Sequence, residues 1–218
     1  MKKDLESNKD KTEKSSPSSV GRGFERLVII NYGAGNIQSI KFAMKRLGYD
    51  AILSNDINEI RNADKVIFPG VGEASSAMTK LWESGLHDLI PTLTQPVLGI
   101  CLGMQLMCNS SDEGNTKGLG IFDVPVLKFD TKKVKVPQIG WNQISNLKSN
   151  LFTGISEDEY IYLVHSFYAP LCTETIAETH YGLTYSAALQ NANFYGTQFH
   201  PEKSGDSGEQ ILNNFLKL

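Results

Sequence analysis

From Leu27 onward, short apolar runs alternate with stretches whose apolar residues keep helical spacing. Leu27-Val28-Ile29-Ile30 reads as a buried strand. After the turn Asn31-Tyr32-Gly33-Ala34-Gly35-Asn36, apolar positions at Ile37, Ile40, Met44 and Leu47 predict a helix that Gly48 closes. Ala51-Ile52-Leu53 predicts a second strand, Ile57-Asn58-Glu59-Ile60 a short helix, and Lys65-Val66-Ile67-Phe68 a third strand. A helix through Ala74, Ala77, Met78, Leu81 and Trp82 precedes a fourth apolar run, Val97-Leu98-Gly99-Ile100. Such alternation with short connections predicts a parallel sheet covered on both faces.

Past about Leu119 the texture becomes strand-rich. Val124-Pro125-Val126-Leu127, Tyr160-Ile161-Tyr162-Leu163-Val164, Ser186-Ala187-Ala188-Leu189 and Phe194-Tyr195-Gly196 read as strands. Residues 208–218 read as a last helix that packs through Ile211, Leu212, Phe215 and Leu216. The expectation is one three-layer α/β/α domain with a mostly parallel central sheet and additional antiparallel strands. Its active groups belong at the carboxyl ends of the strands. Residues 1–24 are rich in Lys, Ser, Asp and Glu and read as a disordered polar leader to a domain of residues 25–218. The leader has no apolar core for secretion, and its acidic residues argue against a transit peptide.

Composition narrows the function classes. The chain has 218 residues, 40% of them hydrophobic, enough for one good-sized core or two small ones. A net charge of −3 gives no basic field for nucleic acid. No apolar run approaches a membrane span. The three cysteines, Cys101, Cys108 and Cys172, lack C-x-x-C spacing and suggest neither a disulfide framework nor a zinc site. That usage fits a reducing, cytoplasmic setting.

Candidate chemistry centres on Gly99-Ile100-Cys101-Leu102-Gly103. An apolar strand precedes it, and the helix formers Met104, Gln105, Leu106 and Met107 follow, so the order is strand, sharp turn, helix. Glycines two residues either side of Cys101 suit a turn where backbone segments come close. The free N–H groups of a starting helix favour a thiolate there. An inert core thiol is the competing reading for Cys101. Cys108 falls seven residues later, on the same helical face if the helix continues, and reads as core. Cys172 lies in a polar stretch with no evident base nearby.

Near the C-terminus, Thr197-Gln198-Phe199 leads into His200-Pro201-Glu202. If that segment stays extended, His200 and Glu202 point the same way. His200 then takes the thiol proton, and Glu202 holds the ring tautomer. For the developing oxyanion, Leu102 N–H and the glycine loop Gly70-Val71-Gly72 are the candidate donors. His165, in His165-Ser166-Phe167, is the rival base. Gly33-Ala34-Gly35 suggests a dinucleotide loop, but Gln38 stands where the third glycine belongs.

With these residues placed, the chain from Leu27 onward resembles the class I (triad) glutamine amidotransferases, and within them the histidine-biosynthesis branch. The motifs are Asn31-Tyr32-Gly33-Ala34-Gly35-Asn36, Pro69-Gly70-Val71-Gly72, the cysteine elbow through Gln105, Gly140-Trp141-Asn142, and His200-Pro201-Glu202-Lys203-Ser204. The resemblance implies a flavodoxin-like fold and hydrolysis of L-glutamine through a cysteinyl thioester by Cys101, His200 and Glu202. It implies substrate contacts from Gln105, Glu113, His165, Ser166 and Phe167, and no metal or cofactor. It also implies a separate (β/α)8-barrel cyclase subunit that consumes the ammonia, with Tyr32, Asn36, Trp141 and Lys203 toward that interface. The other readings are a silent regulatory subunit, a cysteine peptidase, and a glutaminase of vitamin B6 or anthranilate synthesis.

Overall fold

Strand–helix alternation in the first half of the chain builds the parallel part of one sheet. In the computed structural model, which describes residues 26–218, the strands are β1 (Leu27–Ile30), β2 (Ile52–Ser54), β3 (Lys65–Gly70) and β4 (Val97–Cys101). Between them run α1 (Ile37–Arg46), α2 (Ile57–Arg61), α3 (Ala74–Glu83) and α4 (Leu86–Leu89). The expected leader, residues 1–24, lies outside the described residues.

Beyond β4 come α5 (Leu102–Met107), β5 (Cys108–Ser111), β6 (Thr116–Lys117) and β7 (Phe122–Lys128). The chain continues with β8 (Gln138–Ser145), β9 (Glu159–His165), β10 (Phe167–Tyr168), β11 (Thr175–His180), β12 (Thr184–Asn191), β13 (Phe194–Thr197) and α6 (Gly205–Phe215). The main sheet has nine strands in the order β2-β1-β3-β4-β13-β12-β11-β8-β9. Pairings from β2 to β13 are parallel, and those from β13 to β9 antiparallel.

Because successive strand residues face opposite sides, each parallel strand feeds two cores. Val28, Ile30, Phe68 and Val97 pack on one face with Ala77, Leu81 and Met104. Ile29, Ile67, Leu98 and Ile100 pack on the other with Ile40, Met44, Ile211 and Phe215. This is the three-layer arrangement expected.

Two local readings change, and one expected strand joins a separate sheet. The run 124–127 lies in β7, within a second, four-stranded sheet ordered β10-β7-β5-β6. The helix after the elbow stops at Met107, so Cys108 is buried at the start of a strand and not on a helical face. Asn109, Ser110 and Ser111, whose side chains compete for backbone groups, favour leaving the helix there. The last helix begins at Gly205, three residues before the expected start at 208, and ends at Phe215.

Two glycines make the elbow buildable. A Cβ on Gly99 would sit 2.8 Å from Met104 N, and one on Gly103 would fall on the Phe68 carbonyl oxygen. Neither neighbour can yield, since both are backbone. Gly103→Ala should therefore cost at least the ~1–3 kcal/mol of an overpacked core, read as a lowered urea midpoint. A wild-type midpoint would show that α5 does not pack this closely against β3.

Candidate active site

Cys101 ends β4 at φ 53°, ψ −110°, a conformation that non-glycine residues rarely adopt. Strain of this kind persists only where surrounding structure enforces it. Here α5 turns back at once against β3. The side chain emerges, 8% exposed, into a cavity of about 280 Å³. Gly70 pairs with Cys101 on one side, and Thr197 with Ile100 on the other. The loop after β3 and the segment after β13 therefore flank the sulfur.

His200 follows that second segment. Its N–H donates to Tyr162 O at 3.0 Å, and its carbonyl accepts from Ser204 Oγ at 2.7 Å. Ser204 Oγ in turn accepts Tyr162 N–H at 3.0 Å, which pins the turn onto β9. The segment is not extended through Glu202, as the i, i+2 argument assumed. Residues Pro201–Lys203 form a single 3-10 turn, the Pro201 ring fitting its first position. The contact forms nonetheless, with His200 Nδ1 and Glu202 Oε1 2.8 Å apart and both side chains almost wholly buried.

A carboxylate only accepts, so Nδ1–H donates and Nε2 is left as the base. Nε2 is buried without a hydrogen-bond partner in the described structure. Burial pulls the imidazole pKa down, but Cys101 and the Glu202 carboxylate outweigh it and raise it to about 10. In the resting arrangement the thiol donates to Val164 O at 3.8 Å and accepts from Gln198 Nε2 at 3.7 Å.

His165 is unavailable as a base. Its Nδ1 lies 2.7 Å from Phe167 O and its Nε2 3.0 Å from the Tyr185 hydroxyl. Burial lowers its pKa to about 4, against the bond to Phe167 that favours protonation, so the ring is neutral at pH 7.

These two histidines set opposite pH limbs. The unfolded reference is about 6.5 for each. Folded His200, holding the proton it takes from Cys101, keeps it to about 10, so its stabilising contribution is complete below about pH 6.5 and lost as pH rises to about 10. Folded His165 refuses its proton to about 4, so its contribution falls as pH drops from about 6.5. In urea titrations, His200→Asn should flatten the alkaline limb and His165→Phe the acid limb. Unchanged limbs would contradict both environments.

Gln105, Glu113, His165, Ser166 and Phe167 line the same cavity as Cys101 and His200, with Val71, Gly72 and Leu102. Glu113 Oε2 accepts Ala74 N–H at 2.8 Å, and burial raises its pKa. Gly70 lies in the β3 register beside Cys101 and does not line the cavity.

Tyr32 is buried, its hydroxyl donating to Pro69 O at 2.9 Å beneath that loop. Asn36 is half-buried. Trp141 is 55% exposed on β8 and stacks edgewise against Tyr162, while Lys203 Nζ lies 5.9 Å over the same Tyr162 ring. Gln198 is the site residue that sequence reasoning missed. Its position two residues before His200 was the available signal.

Among the described residues no group of His, Cys, Asp and Glu could hold a metal ion, and no helix is long and apolar enough to cross a membrane.

Comparison with known proteins agrees with this geometry. The model of the glutamine amidotransferase class-I family matches residues 28–218. The imidazole glycerol phosphate synthase subunit HisH of Bacteroides fragilis is 56% identical over 195 residues, covering 88% of this chain and 100% of its own. The Yersinia pestis protein of the same description is 46% identical over 194 residues, covering 88% and 99%. Among solved structures, a Thermoplasma acidophilum protein described as a GMP synthase component superposes with a TM-score of 0.70 at 21% identity, covering 90% of this chain and 94% of that one. PurLQS from Thermotoga maritima gives 0.67 at 16%, covering 89% and 99%. These two likenesses concern the fold alone. With the family model spanning the whole described domain but its first two residues, the chain belongs to the class-I glutamine amidotransferases.

Proposed function

We propose that this chain is the glutaminase subunit of imidazole glycerol phosphate synthase. It hydrolyses L-glutamine to glutamate and ammonia. The ammonia passes to a (β/α)8-barrel cyclase subunit, its heterodimer partner, which makes imidazole glycerol phosphate and an aminoimidazole carboxamide ribonucleotide in histidine biosynthesis. One observation carries this reading: a strained cysteine and a base with a free Nε2 line one small cavity, and a buried carboxylate holds the base's other nitrogen.

His200 Nε2 takes the Sγ proton, and the sulfur adds to the γ-carboxamide carbon. The carbonyl electrons move onto oxygen, where Leu102 N–H and the loop Gly70-Val71-Gly72 hold the charge. Collapse of that intermediate expels the amide nitrogen, which takes the proton back from His200 and leaves as ammonia. A γ-glutamyl thioester remains. Water then gives a proton to His200 and adds to the thioester carbon. The second collapse releases glutamate and returns sulfur and proton to the start. Glu113 and Gln105, with His165, Ser166 and Phe167, hold the amino-acid head.

Ammonia freed into neutral water becomes ammonium and loses its nucleophilic electron pair, so the two active sites need a closed passage. A docking surface lies next to the cavity. Ile139, Trp141 and Tyr160 are 64%, 55% and 53% exposed on one face of β8 and β9. They share it by register, with Trp141 opposite Tyr162 and Ile139 opposite the cavity residue Val164. Exposed apolar area of this kind marks an interaction site.

The test is reconstitution with the cyclase partner and its ribonucleotide substrate. Ring product should form with glutamine as the nitrogen source. Product that forms with ammonium salts but not with glutamine would refute the assignment.

A further inference from the structure

We propose that Gln198 is a catalytic residue whose side-chain amide donates a hydrogen bond to Cys101 Sγ and holds the deprotonated sulfur for attack, with Gln105 deciding which end of that amide faces it. This rests on Cys101 being the nucleophile.

Gln198 is wholly buried, and its backbone N–H is committed to Ala187 O at 2.8 Å. Its side chain lies between two polar partners, Sγ 3.7 Å from Nε2 and Gln105 Nε2 2.8 Å from Oε1. The two ends of an amide are nearly the same shape, so partners must fix the orientation. They do so here by elimination. The Phe167 carbonyl only accepts, so Gln105 presents its NH2 to it, at 3.0 Å. The second hydrogen of that nitrogen goes to Gln198. A flipped Gln198 would set NH2 against NH2. Its oxygen therefore faces Gln105, and its NH2 faces the sulfur.

The consequence is chemical. Burying an amide is costly unless both ends are bonded, and this one spends its donor on the reacting atom. In the resting thiol, Val164 O accepts the S–H. Once His200 removes that proton, the carbonyl has no bond left to the sulfur. Gln198 and the new imidazolium are then the side-chain donors facing it. Hydrogen bonds to a charged acceptor are roughly twice as strong as neutral ones, so the contact favours the thiolate over the thiol.

Iodoacetamide alkylation of the full chain, with the adduct at Cys101 quantified by peptide mapping, reads this without any turnover. Gln198→Met keeps the bulk and loses the donor. It should react about tenfold more slowly at pH 7, the effect of about one pH unit in thiol ionisation. At pH 10 the two rates should agree within about twofold, because ordinary free thiols are largely ionised in that range. Gln105→Leu, which frees the Gln198 amide to turn, should show the same pattern at about threefold, within the range of one hydrogen bond. It also carries the test if Gln198→Met does not fold. Rates equal to wild type at pH 7, or a deficit that persists at pH 10, would mean that Gln198 only fills space. Glutaminase activity surviving in Cys101→Ala would instead refute the nucleophile assignment.

Discussion

Cys101→Ala loses glutamine-dependent synthesis by at least about 10⁴-fold, the scale on which removal of a triad nucleophile acts. The same variant still binds the cyclase partner and supports ammonia-dependent synthesis at the wild-type rate. The split follows from where the sulfur sits. Cys101 lines the cavity and is nearly buried, whereas Ile139, Trp141 and Tyr160 of the β8–β9 face are exposed. Deleting Sγ removes weak bonds to Val164 O and Gln198 and leaves the Gly99 and Gly103 packing intact. Assays with glutamine and with ammonium salts, on the reconstituted pair, measure both arms. Loss of both would give the residue a structural role instead.

Glutamate release by the isolated chain should be slow, and the cyclase subunit with its ribonucleotide ligand should raise it by about 10²–10³-fold. That is the value of one oxyanion donor. On the proposed mechanism Leu102 N–H, directly after the nucleophile, is one donor. The same mechanism takes the second from Gly70-Val71-Gly72, where Val71 is exposed and Gly72 sits at φ 100°. Glycines on both sides let that peptide reorient at little steric cost. The loop also lies over the buried Tyr32 hydroxyl, which holds the carbonyl of Pro69 just before it. On that mechanism, partner binding completes the hole by reorienting this loop. Rapid hydrolysis without the partner would contradict a loop that needs completing.

Much of this was legible residue by residue. Val97-Leu98-Gly99-Ile100 and the glycines around Cys101 reported the elbow because local sterics demand them. His200 and Glu202 were legible as partners but not as a conformation. Pro201 suits an extended chain and the first position of a 3-10 turn equally, and packing of the turn against Tyr162 and Ser204 decided between them. His165 looked like a base in one dimension. Its neutrality comes from burial, and its ring is held by Phe167 O and by Tyr185, twenty residues away, which no short motif reports.

Tyr32, which the resemblance sets toward the partner interface, is buried with its ring on Phe68, a contact that its glycine-rich turn does not announce. The second sheet was missed because Cys108-Asn109-Ser110-Ser111 carries too little apolar pattern to announce a strand. Its pairing with β7 is supplied by tertiary contact.

Trapping tests the central claim most directly. Incubate the chain and its cyclase partner with a glutamine-mimicking electrophile, then locate the covalent adduct by peptide mass. Sulfur and imidazole at one cavity, with the carboxylate behind the ring, predict a single adduct on Cys101, blocked by excess glutamine and slowed in His200→Asn. Label on Cys108 or Cys172, or Cys101 labelling indifferent to glutamine and to His200, would contradict it.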